Sequence, residues 1–335
     1  MIGLVVRRLA QLPIILLVIY TVTLTLAWSI PGNPLENPDG RRPSPEVAEQ
    51  MLRQYDLDSF PRFYVTYLAR VTGIRYARDA MSGTIEVERE AAEAVGFRAP
   101  ERPVFDFGPS LQYDDWSVNE IIAGSLPVSI VLGGIAIVIA TVIGVAAGVI
   151  GAIRPNSLAD FATLLVALIG ISLPSFVIGP VLLMLFAVWV PLFPVSEWGT
   201  ARALVLPGVT LSLPFAAYIA RLTRFGMIEA LASDYVRTAR AKGVSETAVL
   251  LKHALPNAFL PVLSYLGPAT AFAMTGSFVV EKVFNIPGIG QHFVAAVQNK
   301  DLFLIMGVVL VFATMLVVFN LAVDLLYRFV DPRIS

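Results

Sequence analysis

The sequence predicts an all-α polytopic membrane protein with six transmembrane helices, and three observations predict it. Of its 335 residues, 56% are apolar and 15% are charged, where a soluble globular chain carries roughly 25% charged residues. The apolar residues fall in blocks of about twenty or more, the length a helix needs to cross a hydrocarbon core roughly 30 Å thick. One long polar stretch, residues 31–120, separates the first block from the other five. The lack of cysteine excludes a disulfide framework, thiolate catalysis and Cys-ligated zinc. A formal net charge of −1 gives no reason to expect nucleic acid as a partner.

The blocks that read as spans are Leu9–Ile30, Ser125–Ile153, Phe161–Val190, Leu204–Arg221, Asn257–Val280 and Leu302–Tyr327. Their internal Gly and Pro residues (Gly133, Gly134, Gly144, Gly148, Pro174, Pro180, Pro207, Pro214) are tolerable in membrane helices, where neighbouring helices re-satisfy the backbone. Gly144 and Gly148 stand four apart, a spacing that lets two helices approach closely. Arg7 and Arg8 precede the first block, which is too long for a cleaved signal sequence. Pro31-Gly32-Asn33-Pro34 follows it in place of a small-x-small cleavage site, so the block is expected to stay as helix one.

Short-loop positive charge sets the expected orientation. With a cytoplasmic N-terminus, the cytoplasmic side holds Arg7, Arg8, Arg154, Arg221, Arg224, Arg237, Arg240, Lys242, Lys252, Arg328 and Arg333. The outer short loops hold only Arg202, Lys282 and Lys300. Both chain ends are then cytoplasmic. Residues 31–120 lie outside, with ten Arg against sixteen Asp and Glu. There Ser44-Pro45 reads as an N-cap with proline in the first turn. Val47, Ala48, Met51, Leu52 and Tyr55 then share one face. A second amphipathic run carries Phe60, Phe63, Tyr64, Tyr67, Leu68 and Val71. Two short helices are expected, packed on the outer membrane face or on a partner. Residues 74–104 read as a further helix or a loosely ordered insertion.

What the chain lacks narrows its chemistry. No Gly-x-x-x-x-Gly-Lys-Ser/Thr string is present, so there is no P-loop for nucleotide phosphates. The only carboxylate within the blocks is Asp324, whereas an ion-coupled carrier needs an intramembrane acid or histidine to carry the coupling charge. Asp324 stands four residues before Arg328, the spacing of an interfacial ion pair. Ser277 is the serine to weigh for a membrane protease, but the expected topology puts His253 inside and His292 outside, neither at its depth.

The segment Leu222–Pro256 is the most patterned. Asp234 is expected to cap a helix beginning at Tyr235, and Gly243 to end it in the left-handed conformation. Arg237, Arg240 and Lys242 complement the negative end of its dipole. Ser245 is expected to cap a second helix with Glu246 in its first turn, and Pro256 to mark the break into the fifth span. A helix of eight residues is unstable alone in water, so it must dock on something. A groove on a soluble partner and the anionic headgroups of the bilayer both fit the spacing.

The string Arg237-Thr-Ala-Arg-Ala-Lys-Gly-Val-Ser245 followed by His253-Ala-Leu-Pro256 resembles the coupling loop of bacterial ABC-importer permeases. Ala239, Gly243, Leu255 and Pro256 stand at that family's spacing. Arg237-Thr238 replaces its usual Glu-Ala, as is typical of the peptide-permease branch. Arg7-Arg8, Pro31-Gly32-Asn33-Pro34, Asp106-Phe-Gly-Pro-Ser110, Pro127-Val-Ser129, Val262-Leu-Ser-Tyr-Leu-Gly-Pro-Ala269, Ile286-Pro-Gly-Ile-Gly-Gln291 and Asp331-Pro332 resemble, in order, the B-type transmembrane subunit of the oligopeptide/dipeptide permease family. Residues 74–104 depart from it as an insertion.

The resemblance implies a type I ABC importer permease fold in a cell (inner or plasma) membrane. Its parts are a cytoplasmic N-terminus and helix one (1–30), an outer loop region (31–120), the permease domain (121–328) with coupling loop 222–256, and a cytoplasmic tail (329–335). It implies a transport subunit rather than an enzyme, with no catalytic, metal or cofactor site of its own. The implied partners are a second homologous permease, two ATP-hydrolysing subunits and an extracellular solute-binding protein, with peptide as substrate. Tyr235, Arg237, Thr238, Ala239, Arg240, Lys242, Gly243, Leu255 and Pro256 are the implied contact with the ATPase. Related permeases are associated with nickel, glutathione or oligosaccharides, and an ion-driven secondary carrier is the alternative from another class.

Overall fold

The structure, a computed structural model, describes residues 2–32, 35, 44–94, 102–113, 116–275 and 278–330. In chain order the helices are α1 (Ile2–Trp28), α2 (Pro45–Gln54), α3 (Phe60–Val71), α4 (Ile74–Met81), α5 (Thr84–Ala94), α6 (Val118–Ile153), α7 (Leu158–Ser172) and α8 (Ser175–Leu183). They continue as α9 (Ala201–Leu231), α10 (Asp234–Ala241), α11 (Glu246–Ala248), α12 (Leu255–Ala258), α13 (Leu260–Met274), α14 (Phe278–Phe284), α15 (Ile289–Gln298) and α16 (Leu302–Val330). Wider π-turns follow α8 (Met184–Trp189) and α11 (Val249–Ala254). Among the described residues the one strand-like pairing is an isolated antiparallel bridge between Pro109 and Ser117. Four helices are long and apolar enough to cross a membrane, and six spans result if each of two bent pairs counts as one.

The bends are where the structure departs from the expected blocks. Phe161–Val190 is no straight span: α7 and α8 meet at 108°. Pro174 explains the break, because its ring drives the preceding residue out of the α region, and Leu173 is extended at ψ 125°. At fifteen residues α7 is about 22 Å long, too short to cross alone. The fifth block bends by 54° between α12 and α13. That break falls at Phe259, before Pro261, and not at Pro256, which sits inside α12. The fourth block does not stop at Arg221, since α9 runs on to Leu231.

The chain divides into two compact units. The first comprises Met1–Pro13, Ser125–Gln291 and Phe312–Ser335. Its core is centred on α9, whose Leu206, Leu211, Phe215, Ala216 and Ile219 are buried with Leu132, Ala136 and Ala140 of α6 and Val262, Ala269 and Ala273 of α13. Gly144 and Gly148 act as their spacing suggests. A Cβ on either would stand 2.6 Å from the carbonyl oxygen of Ala216 or Ala220, so only glycine allows α6 to lie this close to α9. Asp324 forms an ion pair with Arg8 at 2.8 Å, joining the start of α1 to the end of α16; the side chain of Arg328 lies outside the described residues.

The first unit also hides Glu281, which is 0% exposed. Its carboxylate accepts from Ser129 Oγ (2.8 Å) and from the Gly290 N–H (2.8 Å), and Ser129 Oγ accepts from the Ile289 N–H (3.0 Å). Two of the strings noted in the sequence, Pro127–Ser129 and Ile286–Gln291, thus meet over one buried acid.

The second unit comprises Ile14–Gly124 and His292–Val311. Ser44 caps α2, its Oγ accepting from Val47 N–H at 3.4 Å. The apolar face of α3 packs within the unit. Tyr20 Oη of α1 donates to the Tyr64 carbonyl at 2.7 Å, while Phe63 and Tyr67 pack on each other and on Phe303. Residues 74–94 are ordered as α4 and α5, with Asp79 buried among Arg75, Arg78 and Arg102; residues 95–101 lie outside the described residues. The Asp106–Ser110 string is a tie. Asp106 pairs with Arg70 (3.5 Å) and accepts from Gly108 N–H (2.8 Å), while Ser110 Oγ donates to Asp301 (2.6 Å). Asn33-Pro34, Gly276-Ser277, Asp331-Pro332 and Arg333 lie outside the described residues.

Candidate functional site

The segment after α9 folds as helix, left-handed turn, helix, all within the first unit. The cap of α10 is Ser233 rather than Asp234, and its hydroxyl donates back to the Ala230 carbonyl (2.5 Å). Asp234 instead occupies the first turn, where its charge favours the positive end of the dipole, and it pairs with Arg237 at 3.1 Å. At the other end the chain forms a complete Schellman closure. The Val244 N–H donates to the Ala239 carbonyl (3.2 Å) and the Gly243 N–H to the Arg240 carbonyl (3.0 Å). Gly243 has φ +75°, and a Cβ there would meet nothing within 4 Å. The requirement for glycine is therefore one of backbone conformation, not of space.

Two small side chains hold α10 in place. Val236 and Ala239, three apart on one face, are buried with Val249, against Leu231 and Val244. The opposite face is open: Arg237, Thr238, Ala241, Lys242 and Gly243 are exposed, and Tyr235 is 43% exposed. Tyr235 Oη accepts from Asn257 Nδ2 at 2.9 Å. Across the turn, Arg240 Nε and Nη2 donate to the two oxygens of Glu246 at 2.8 and 3.2 Å, and this contact holds the Arg240 guanidinium above its ordinary pKa. Ser245 precedes α11 as expected, but its side chain makes no capping bond.

The structure thus gathers Tyr235, Arg237, Thr238, Arg240, Lys242 and Gly243 on one exposed, cationic surface. The other three expected residues stand differently. Ala239 faces inward, Leu255 packs with Met227, Ala230 and Ala258, and Pro256 is exposed on α12, beside Asn257. Sequence reasoning missed Val236, and it named Ala239 and Glu246 without their anchoring roles. Val236 and Ala239 had a readable signal in their i, i+3 spacing; Glu246, six residues from Arg240 across a turn, had none.

The side-chain pairs on this surface are Asp234–Arg237, Arg240–Glu246 and Tyr235–Asn257. Among the described residues no group of three His, Cys, Asp or Glu side chains converges as a metal site. What the surface offers is a cationic knuckle just beyond the end of α9, the most buried of the four long apolar helices. Residues 140–335, which contain the elbow and the α9 core, match the family described as binding-protein-dependent transport system inner membrane component. The chain belongs to that family.

As a member of it, the chain is a multi-pass membrane permease. It is 37% identical to the dipeptide transport system permease protein DppB of Bacillus subtilis (strain 168), over 98% of this chain and 97% of that protein. It is 45% identical to the oligopeptide transport system permease protein OppB of Haemophilus influenzae, over 68% of this chain and 76% of that one. Among solved structures, inward-facing conformations of the MetNI methionine ABC transporter contain a chain matching 64% of this one and 97% of its own length. The TM-score is 0.50 at 17% identity, which shows a shared ABC importer permease fold.

Proposed function

We propose that this permease is one of two transmembrane subunits of an ATP-driven importer of peptides, and that α10 is where the driving force enters. The observation that carries this reading is the elbow. A helix too short to stand alone is anchored by two aliphatic side chains, closed by an obligatory left-handed glycine, and turned outward with its cations exposed. The chain carries no phosphate-binding loop of its own, so the motive force comes from partners: two ATPase subunits beneath the elbow and a second, homologous permease beside it. Similarity to dipeptide and oligopeptide permeases supports peptide as the cargo. An extracellular solute-binding protein supplies the selectivity.

Both chain ends and the elbow face the cytoplasm in this reading. The excess of Arg and Lys in the segments assigned to that side supports it, and the Arg8–Asp324 ion pair supports both ends lying on one face. ATP-driven closure of the ATPases displaces α10. The displacement passes to α9 through Leu231, the last residue of α9, which packs against Val236 and Val249. The permease then turns from inward- to outward-open as a rigid-body switch.

Gly243→Val tests the site. A Cβ in the left-handed region is strained by about 1 kcal/mol or more, so the turn reopens without a clash elsewhere. The expected result in proteoliposomes is a subunit present at normal level, with transport lost and ATPase activity no longer stimulated by loaded binding protein. Normal uptake with normal stimulation refutes the docking role. The cargo is tested on the partner binding protein. Peptide binding supports the assignment; tight binding of nickel, glutathione or an oligosaccharide with no peptide binding overturns it.

A further inference from the structure

We infer that Asp160 and Arg224 form a clamp that makes the bent α7–α8 arm follow α9 when the elbow moves. The inference rests on the elbow reading above.

Asp160 lies in the first turn of α7 and is 2% exposed. Arg224 lies near the elbow end of α9, seven residues before its last residue, Leu231. The two meet as a fork on a fork: Arg224 Nε donates to Asp160 Oδ1 at 2.5 Å and Nη2 to Oδ2 at 2.7 Å. The backbone fixes the carboxylate as well. Asn156 N–H donates to Oδ2 at 2.8 Å, from a residue held at φ +62°, and Ser157 Oγ accepts from Asp160 N–H at 3.3 Å. A third helix closes over the pair. A Cβ on Gly151 of α6 would stand 3.0 Å from Asp160 Oδ1 and 2.9 Å from Thr163 Oγ1.

Stability alone is a poor reason for such an arrangement. Asp160 is buried and Arg224 is 22% exposed; desolvating such a carboxylate costs what the attraction roughly repays, and apolar replacements are often as stable. A bidentate guanidinium–carboxylate pair differs from an apolar contact in having one geometry and no tolerance for sliding. Packed aliphatic faces can shear past one another; this joint cannot. It also stands at the end of a continuous path. Val236 and Ala239 of α10 pack with Val249 against Leu231, and Leu231 packs in turn with Met227, Ala230, Ala254 and Ala258. Arg224 is one turn from Met227 on α9. A push on α10 that moves the end of α9 therefore moves the first turn of α7, and the 108° bend carries that motion into α8.

The test uses the whole transporter in proteoliposomes and reads transport and ATP hydrolysis together. Arg224→Lys keeps the charge and loses the fork; Asp160→Asn keeps the shape and loses the charge. The expected result is complexes that assemble and hydrolyse ATP, with transport per ATP reduced about tenfold in both variants. Should Asp160→Asn fail to assemble, Arg224→Lys decides alone. An unchanged transport-to-hydrolysis ratio in Arg224→Lys, whether both rates are normal or both fall in parallel, overturns the clamp. Gly243→Val is run alongside. If it couples normally, the elbow reading has failed; if it uncouples while Arg224→Lys does not, only the clamp has.

Discussion

Two strings stand out in this sequence, Asp106–Ser110 and Arg237–Ser245, and the structure puts them to opposite uses. The first turns its polar groups inward. Asp301 is 0% exposed and accepts from Ser110 Oγ, the N–H groups of Leu111 and Gln112, and the Leu304 N–H, at 2.6 to 3.3 Å. Burial pushes its carboxyl up while these donors pull it back. The second string buries only aliphatic groups and leaves its charges in the open. A motif whose polar atoms are all satisfied within the chain is explained by the fold. A motif whose turn is fixed by the backbone and whose polar atoms face outward is not explained by the fold alone, and it is left free for the proposed docking role. Burial, not the strength of the pattern, separates the two.

The largest effect that separates the regions falls on stability. Asp301→Ala leaves Ser110 Oγ and the N–H groups of Leu111 and Leu304 without this acceptor, while the Gln112 N–H keeps Ser110 Oγ at 3.2 Å; the cost is about 1–3 kcal/mol for each group that water cannot reach. The second unit should unfold at markedly lower temperature, and the subunit should be depleted from the membrane; thermal unfolding of the detergent-purified chain measures it. Asp301→Asn, which keeps the shape and one carbonyl oxygen, should fall between. An Asp301→Ala protein of normal stability and abundance would erase the contrast, because the buried tie would then hold nothing.

A smaller effect sharpens the other side of the comparison. Gly243→Asn should transport at a level between glycine and valine, because asparagine enters the left-handed region at lower cost than a β-branched residue. Nothing within 4 Å of the site penalises its size. Melting temperatures of Gly243→Asn and Gly243→Val should both stay near that of the parent. Graded transport at constant stability is the signature of a turn that serves an outside partner; a parallel loss of stability would make it an ordinary fold element.

The contrast also explains what could be read without a structure. Span positions were legible because a bilayer demands some twenty apolar residues whatever the fold. The elbow was legible, to within one residue at its cap, because its determinants are local: an aspartate at the helix start, a glycine nine residues on, and cations at the end of a short helix. The buried acids were not. Asp160 meets Arg224 across 64 residues, Glu281 meets Ser129 across 152, and Asp301 meets Ser110 across 191. The pairing of Asp324 with Arg8, more than three hundred residues away in sequence, had no local signal either. The 108° bend at Leu173-Pro174 lies between. Proline marked the place, but hydropathy along a block reports apolarity and not direction.

The smallest effect is expected at the most visible contact of the elbow. Arg240 and Glu246 make a well-formed bidentate pair, yet both are exposed, and exposed pairs are screened by water and salt and add little. The turn they span is already closed by two backbone hydrogen bonds and by Val244 against the Val236–Val249 cluster. Glu246→Ala should therefore leave melting temperature unchanged and peptide uptake within about twofold of the parent, with no added sensitivity to salt. Uptake as low as in Gly243→Val would show that the side chains, rather than the left-handed backbone, set the shape of the knuckle, and it would move the centre of the site from Gly243 to the ion pair beside it.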